Sequence, residues 1–205
     1  MRVLIACEFS GVVRDAFAAL GHDAWSCDIL PSERGGQHIQ DDALRVAYNG
    51  KWDLMIAHPP CTYLSRAGWH WVNKPDCATL PLKGEPRRLA AFESAEFFRA
   101  LWNAPIKKRV IENPRPIKHV NLPPYSQVIQ PWQFGHGETK ATCLWIEGLP
   151  RLHPTNIVKG REARIHKMTP GPNRWKERSR TYQGIADAMA AQWGIAEQTF
   201  ELGSD

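Results

Sequence analysis

Four short segments with the character of strands, each followed by a turn residue or a polar side chain, most constrain how this chain can fold. They span residues 2–7, 22–28, 52–58 and 108–112. Runs of this length are typical of buried strands, because strands need about four to eight residues and helices about ten or more. Segments with helical spacing lie between them, at residues 12–20, 42–48 and 86–102. This alternation predicts an α/β fold with a mostly parallel sheet and helices on both faces.

The pattern changes after Pro114. Residues 127–134 and 141–146 have the composition of two strands, and the glycine-rich turn between them predicts an antiparallel hairpin. Residues 179–193 have apolar side chains at helical spacing and predict a closing helix. Residues 148–178 are rich in proline, glycine and basic side chains. We therefore expect one domain formed by residues 1–147 and 179–205, with residues 148–178 as a basic, loop-rich excursion.

The positive charge of the chain is concentrated in that excursion. The net charge is +5, and residues 151–180 hold nine Lys and Arg against two Asp and Glu. The remainder of the chain is therefore slightly acidic. A local basic patch favours a polyanion such as nucleic acid as the partner. A basic loop that only faces solvent has the same composition.

Composition also excludes several classes of protein. Hydrophobic residues make up 43% and charged residues 23%, which are ordinary values for a globular protein and not for a disordered one. No apolar run approaches the roughly 18 residues of a transmembrane helix, and the N-terminal run lacks the pattern of a signal peptide. Five scattered cysteines argue against a disulfide framework. We expect a cytoplasmic protein with no membrane association.

Polar side chains follow the first two predicted strands. Phe9, Ser10 and Gly11 come after the first strand, and Asp28 ends the second, 19 residues after Phe9. In an open α/β sheet, ligands bind at the carboxyl ends of the strands. An acid at this distance is where nucleotide-type sites hold a ribose hydroxyl. A tight turn followed by a surface aspartate would give the same pattern.

A cysteine and a glutamate follow the next two predicted strands. The third strand leads into Pro59, Pro60 and Cys61, and the fourth ends at Glu112. The two prolines fix the backbone and place the cysteine at the mouth of the sheet, before a polar loop. Parallel neighbouring strands would bring Glu112 near Cys61. A nucleophile beside a carboxylic acid can combine attack on a substrate with donation of a proton.

A zinc site is the first alternative for this cysteine. The set His58, Cys61, His70 and Cys77 fits no common zinc-ligand spacing, and the prolines constrain Cys61 poorly for tetrahedral ligation. We therefore expect no metal.

These motifs, in this order, resemble those of DNA cytosine-5 methyltransferases, above all the short members carried by bacteriophages and prophages. Pro59, Pro60 and Cys61, followed by Ser65 and Gly68, are similar to the nucleophile loop of that family. Glu112-Asn113 resembles its glutamate-asparagine motif, and Phe9-Ser10-Gly11 resembles its cofactor turn. The later motifs of the family are similar to Phe134-Gly135, Lys140-x-Thr142, Leu144-Trp145 and residues 182–186.

The resemblance implies a Rossmann-like methyltransferase fold and S-adenosylmethionine as the cofactor. Cys61 would attack C6 of cytosine, and Glu112 would bind the base and protonate N3. Asp28 would hold the cofactor ribose and Asp42 its adenine. The full set of implied cofactor-binding residues is Phe9, Ser10, Gly11, Asp28, Asp42 and Pro59. With the basic patch, the residues expected to bind the DNA substrate are Ser65, Arg66, Lys140, Thr142, Arg161, Arg164, Lys167 and Arg174.

The chain also departs from the family pattern. The second glycine of the cofactor turn is absent, and only 34 residues separate Trp145 from Arg180, where the family carries a much longer target-recognition domain. Residues 148–178 would be a minimal basic recognition segment, so short or relaxed sequence specificity is expected.

Other functions remain open at the level of sequence. The residues flanking the two prolines, His58 and Cys61, argue against an amino-group methyltransferase. Methylation of RNA or of a free cytosine nucleotide, and a non-catalytic DNA-binding relative, stay open. The sequence does not predict the oligomeric state.

Overall fold

Seven strands form one mixed sheet in the computed structural model, which describes residues 1–169, 171 and 174–195. The strands are β1 Arg2–Ala6, β2 Asp23–Asp28, β3 His38–Gln40, β4 Leu54–Ala57, β5 Lys108–Pro114, β6 Gln127–Ile129 and β7 Thr142–Glu147. Their order across the sheet is β3-β2-β1-β4-β5-β7-β6. The first five are parallel to one another, whereas β7 runs antiparallel to both of its neighbours. The predicted α/β, Rossmann-like class with a mixed, mostly parallel sheet is confirmed.

Helices cover both faces of this sheet. Within the described residues they are α1 Val12–Ala19, α2 Ala43–Asn49, α3 Gly84–Trp102, α4 Arg164–Lys167, α5 Arg174–Ser179 and α6 Gln183–Trp193, with 3₁₀ helices at Arg66–Asn73, Lys118–Val120 and Pro131–Gln133. Helices α1 and α6 pack together on one face. Helices α2 and α3 contribute to the core on the other face.

The central strands are buried on both sides. In β1, Val3 and Ile5 face the α1 and α6 layer, whereas Leu4 and Ala6 face the α2 and α3 layer. Successive side chains of a strand point to opposite faces, so a strand covered on both sides must be apolar at every position. This burial explains why β1 and β4 are continuous apolar runs in the sequence.

The predicted elements differ from the observed ones mainly at the edges. Strand β3 lies outside the runs predicted as strands, because it has only three residues and is stabilised by parallel pairing with β2. The predicted hairpin is present, but its first strand ends at Ile129. Pro131, which lacks an amide hydrogen, begins a 3₁₀ helix there. The closing helix begins at Gln183, after the separate helix α5.

The basic excursion lies against the β6 and β7 side of the fold. Isolated bridges pair Asn156 with Phe134 and Glu162 with Glu138. Leu152 and Ile165 are buried. Parts of the predicted segments, residues 170, 172, 173 and 196–205, lie outside the described residues. No helix in the part of the chain that the structure describes is long and apolar enough to cross a membrane.

Candidate active site

The parallel register of β4 and β5 brings His58 and Glu112 side by side. Ala57 lies opposite Ile111 in that register, and His58 and Glu112 are the next residues on each strand. The strand periodicity of two places both side chains on the face that carries Val110 lower in the sheet. A polar pair therefore continues a row of core positions at the carboxyl edge of the sheet.

Glu112 is held as a carboxylate by its neighbours. His58 Nδ1 lies 3.0 Å from Glu112 Oε2, and the two side chains are only 8% and 15% exposed. Burial works against ionisation of Glu112, but the hydrogen bond from His58, the positive charge of Lys140 and the hydroxyl of Thr142 outweigh it. The net result is a pKa of Glu112 below its ordinary value. Glu112 is therefore charged at neutral pH.

Cys61 follows the two prolines in a turn anchored to β5. The side-chain amide of Asn113 donates to the Pro59 carbonyl at 3.4 Å, and the Ser65 amide donates to the Cys61 carbonyl at 3.0 Å. Cys61 and Glu112 line the same cleft.

The environment of Cys61 keeps its side chain a neutral thiol. Burial, and then the negative charge of Glu112, raise the pKa of the Cys61 thiol, whereas Lys140 and Arg178 oppose that rise. In the free protein Cys61 is therefore a thiol beside a carboxylate. Formation of a thiolate at Cys61 is unfavourable beside the negative charge of Glu112. Transfer of the thiol proton away from the sulfur during attack on a substrate would remove this obstacle.

Residues 174–181, called here the strap, face the strand ends across the cleft. One wall carries Cys61 and Glu112, and the opposite wall is formed by residues 178–181. The cleft has a volume of about 100 Å³. Pockets that hold small-molecule ligands typically measure roughly 300–1,000 Å³. The strap therefore lines a narrow cleft in the described conformation.

The strap is fastened over the turn after β1. The rings of Phe9 and Trp175 lie 5.6 Å apart, and Phe9 is 8% exposed. Glu33 forms an ion pair with Lys176 at 3.7 Å and a hydrogen-bonded ion pair with Arg180. These contacts hold the strap against both the Phe9 turn and the loop after β2.

Glu8, which the sequence analysis did not select, organises the same turn. Its Oε1 accepts hydrogen bonds from the Val13 amide at 2.8 Å and from Ser10 Oγ at 3.2 Å, and its Oε2 accepts from the Arg14 amide at 3.2 Å. The carboxylate thus satisfies free amides at the N-terminus of α1. Gly11 precedes that helix with a left-handed φ of +72°. The sequence signal was present, since an acid stands two residues after an apolar strand.

The two aspartates expected at the cofactor lie along the same edge of the sheet. Asp28 accepts a hydrogen bond from the Leu30 amide at 3.0 Å, and burial raises its pKa. The adjacent Ile29 is 73% exposed. Asp42 caps α2 by accepting from the amides of its second and third residues, at 2.8 and 3.0 Å. Burial, and then Asp28 and Asp42 among the nearby groups, raise the pKa of Cys7, which shows that both carboxylates lie near the end of β1.

Two residues expected to bind nucleic acid lie instead beside the cysteine and the glutamate. Lys140 donates to the Arg180 carbonyl at 3.1 Å and lines the cleft. Thr142 is 5% exposed, and its hydroxyl has two acceptors within reach, the Lys140 carbonyl at 3.2 Å and the Glu112 carboxylate. This placement suits support of Glu112 better than contact with a phosphate.

The other expected nucleic-acid residues are spread over the surface. Arg161 stacks on the Trp132 ring at 3.9 Å, and Arg164 pairs with Glu138 at 3.0 Å, so both guanidinium groups are engaged within the protein. Arg66 and Lys167 are exposed, whereas Ser65 and Arg174 are half-buried. The partners of Arg161 and Arg164 both lie in the connection between β6 and β7.

Sequence reasoning also missed two further residues of the cleft. His58 was considered as a zinc ligand and as a residue that flanks the two prolines, but not as a partner of Glu112, which it contacts directly. Arg178 lies close enough to Cys61 to influence its pKa, but nothing in the sequence distinguished it from the neighbouring basic residues. Among the described residues, no group of three or more His, Cys, Asp or Glu side chains could hold a metal ion.

Comparisons with known proteins identify no family for this chain. It matches no protein-family model and no curated protein sequence. Among solved structures it is similar, at 13% identity and a TM-score of 0.44, to an E. coli prophage protein provisionally described as a DNA modification methyltransferase. The match covers 76% of this chain and 51% of that one, so the chain spans about half the length of that relative.

Proposed function

We propose that this protein is a DNA cytosine-5 methyltransferase that uses S-adenosylmethionine. The observation that carries the proposal is the placement of Cys61 and Glu112 in one cleft at the carboxyl edge of the parallel sheet. C5 of cytosine is a poor nucleophile until a group adds at C6. A thiol is well suited to add there and later leave, and a carboxyl group can manage the proton at N3.

The same edge carries groups that fit S-adenosylmethionine. The buried Glu8 carboxylate in the cleft suits a cationic ligand, and Asp28 suits ribose hydroxyls. The exposed Ile29 offers an apolar surface for the adenine ring, and Asp42 lies on the same side. Phe9, Ser10, Gly11 and Pro59 would complete the binding site. When bound, S-adenosylmethionine would supply the methyl group and a good leaving group.

In the reaction proposed for Cys61 and Glu112, one proton leaves the thiol and one is delivered to the cytosine ring. As the Cys61 sulfur bonds to C6, its thiol proton leaves and N3 gains one, and the C5–C6 electron pair becomes available at C5. Glu112, a carboxylate in the free protein, takes up the first proton and donates the second. Lys140 and Arg178 stabilise the thiolate as it forms. After methylation, a solvent water takes the C5 proton and the bond between Cys61 and C6 breaks. The N3 proton then returns through Glu112 to the Cys61 thiolate, which restores the enzyme.

DNA is proposed as the substrate on the strength of the basic segment. A base in a duplex must be flipped out to reach Cys61, at a cost of a few kcal/mol. Residues 148–178 would act as a minimal recognition segment attached to a catalytic domain of residues 1–147 and 179–205. The exposed Arg66 and Lys167 are the best placed of the candidate phosphate contacts, whereas Arg161 and Arg164 are engaged internally. Few side chains are then available to contact base edges, so specificity would be short or relaxed.

Bisulfite sequencing of DNA from cells that express the protein tests this function. We expect 5-methylcytosine with the wild type and with the control Cys77→Ser, and none with Cys61→Ser. Unmethylated DNA with the wild type, or equal methylation with Cys61→Ser, would contradict the proposal. Parallel sequencing of bisulfite-treated RNA would show whether RNA is the substrate instead.

A further inference from the structure

The contact between His58 and Glu112 is buried and is held in place by the hydrogen bonding of the sheet. His58 stands directly after β4, and its amide donates to the Ala6 carbonyl at 2.9 Å, which continues the hydrogen bonding of β4 with β1. Its ring is therefore fixed to the sheet at the position opposite Glu112. The two side chains meet at 3.0 Å with little exposure.

The hydrogen bonding of the imidazole indicates which nitrogen carries the proton. His58 Nε2 is buried and has no hydrogen-bond partner among the described residues. A proton on that nitrogen would be a buried donor without an acceptor, which is costly. A proton on Nδ1 is required by the contact itself, because the carboxylate oxygen Oε2 of Glu112 can only accept. The ring then serves Glu112 through one defined hydrogen bond.

We propose that His58 is a positioning residue that keeps Glu112 oriented and ionised in the cleft, ready to take the proton of the Cys61 thiol. This inference rests on the proposed function and adds a residue to it. Oε2 of Glu112 accepts from His58, so Oε1 is left for the substrate and the travelling proton.

The other groups around Glu112 do not replace this bond. Burial opposes the charge of Glu112, and Lys140 and Thr142 only add to the effect of the His58 hydrogen bond. Other titratable or charged groups lie near Glu112 on every neighbouring element. Glu8 follows β1, and His58 and Cys61 follow β4. Lys140 and Cys143 lie on the β7 side, and the strap contributes Arg178 and Arg180. Among these, only His58 is shown to donate a hydrogen bond to Glu112.

The pH dependence of single-turnover methylation tests the role. Loss of activity at low pH reports protonation of Glu112, because the carboxylate is the form that accepts the thiol proton. Without the His58 bond, burial would act with less opposition and the pKa of Glu112 would rise. In His58→Leu, we expect the acid limb of the profile to move up by about one to two pH units, the equivalent of one charge-assisted hydrogen bond.

Matched substitutions separate positioning from a loss of packing. Asparagine can present its amide N–H near the place of Nδ1, so His58→Asn should keep the acid limb within a few tenths of a pH unit of the wild type. Glutamine extends its amide toward the place of Nε2, so His58→Gln should behave like His58→Leu. Thermal melting of each variant identifies any that fails to fold. If His58→Leu does not fold, the comparison of His58→Asn with His58→Gln still tests the positioning role.

Two results would overturn the inference. One is an acid limb that stays in place in both His58→Leu and His58→Gln while the wild type is active. The other is His58→Asn with a limb as displaced as that of His58→Gln. A wild type that methylates no cytosine would instead contradict the proposed function itself.

Discussion

Glu33→Gln should tighten the binding of S-adenosylmethionine, although the substitution removes a negative charge that would attract this cationic ligand. Glu33 joins the loop after β2 to the strap through Lys176 and Arg180. The strap lines a cleft of about 100 Å³, which is narrow for such a ligand. We therefore expect binding to require movement of the strap, which Glu33 holds in its described position.

The size of the effect follows from the exposure of the ion pairs. The Glu33 side chain is 24% exposed, and its partners Lys176 and Arg180 are 39% and 41% exposed. Pairs with this much solvent contact contribute about 0.2–1 kcal/mol each, so losing both destabilises the described position of the strap by about 1 kcal/mol. The fraction of molecules with the strap moved and the apparent affinity should then rise about fivefold. The Phe9–Trp175 contact remains and limits the gain.

Isothermal titration calorimetry with S-adenosylmethionine measures this change. Glu177→Gln is the matched control, because Glu177 contacts the same Arg180 at 3.3 Å but from within the strap. The control removes the same charge and leaves the link to Glu33 intact, so its affinity should not rise. Unchanged or weaker binding in Glu33→Gln would refute the reasoning. An equal gain in both variants would attribute the effect to net charge rather than to the strap.

Three further outcomes follow from the geometry of the site. Asp28→Ala should weaken S-adenosylmethionine binding about tenfold in calorimetry while the fold survives, since hydrogen bonds to a charged group are lost. In the free protein, iodoacetamide should label Cys77 before Cys61, because hydrogen bonds with a neighbouring threonine lower the pKa of Cys77, whereas burial and a nearby carboxylate raise that of Cys61. Peptide mass spectrometry across a pH series should show Cys61 labelling accelerate as pH rises. Lys167→Glu should weaken binding to all DNA sequences, by fluorescence anisotropy, more than Arg161→Glu, whose wild-type side chain already stacks on a tryptophan.

The buried central strands could be predicted from the sequence, because their runs of apolar residues are a local pattern. Residues 3–6 of β1 and all of β4 are buried, so the side chains at these positions are apolar. The pattern of β4 was enough to place Cys61 shortly after a strand, whereas the fourth predicted strand ended too early, because β5 continues past Glu112 to Pro114. Strand β3 was missed because its three residues carry no such pattern and depend on pairing with β2.

The contacts within the site depend on pairings that no local pattern records. His58 meets Glu112 only because β4 and β5 are neighbours in a particular parallel register. The positive charge near the C-terminus was visible in the composition, but its internal pairing was not. Arg164 and Arg180 find acidic partners in Glu138 and Glu33, which lie far away in the sequence.

Covalent trapping of Cys61 on a modified substrate tests the central claim most directly. DNA containing 5-fluorocytosine cannot lose its C5 substituent, so an enzyme that works through addition at C6 becomes bonded to it in the presence of S-adenosylmethionine. Denaturing electrophoresis and peptide mass spectrometry should show an adduct at Cys61 in the wild type and in Cys77→Ser, and none in Cys61→Ser. A wild type that methylates cytosine without forming the adduct, or an adduct at another residue, would contradict the account.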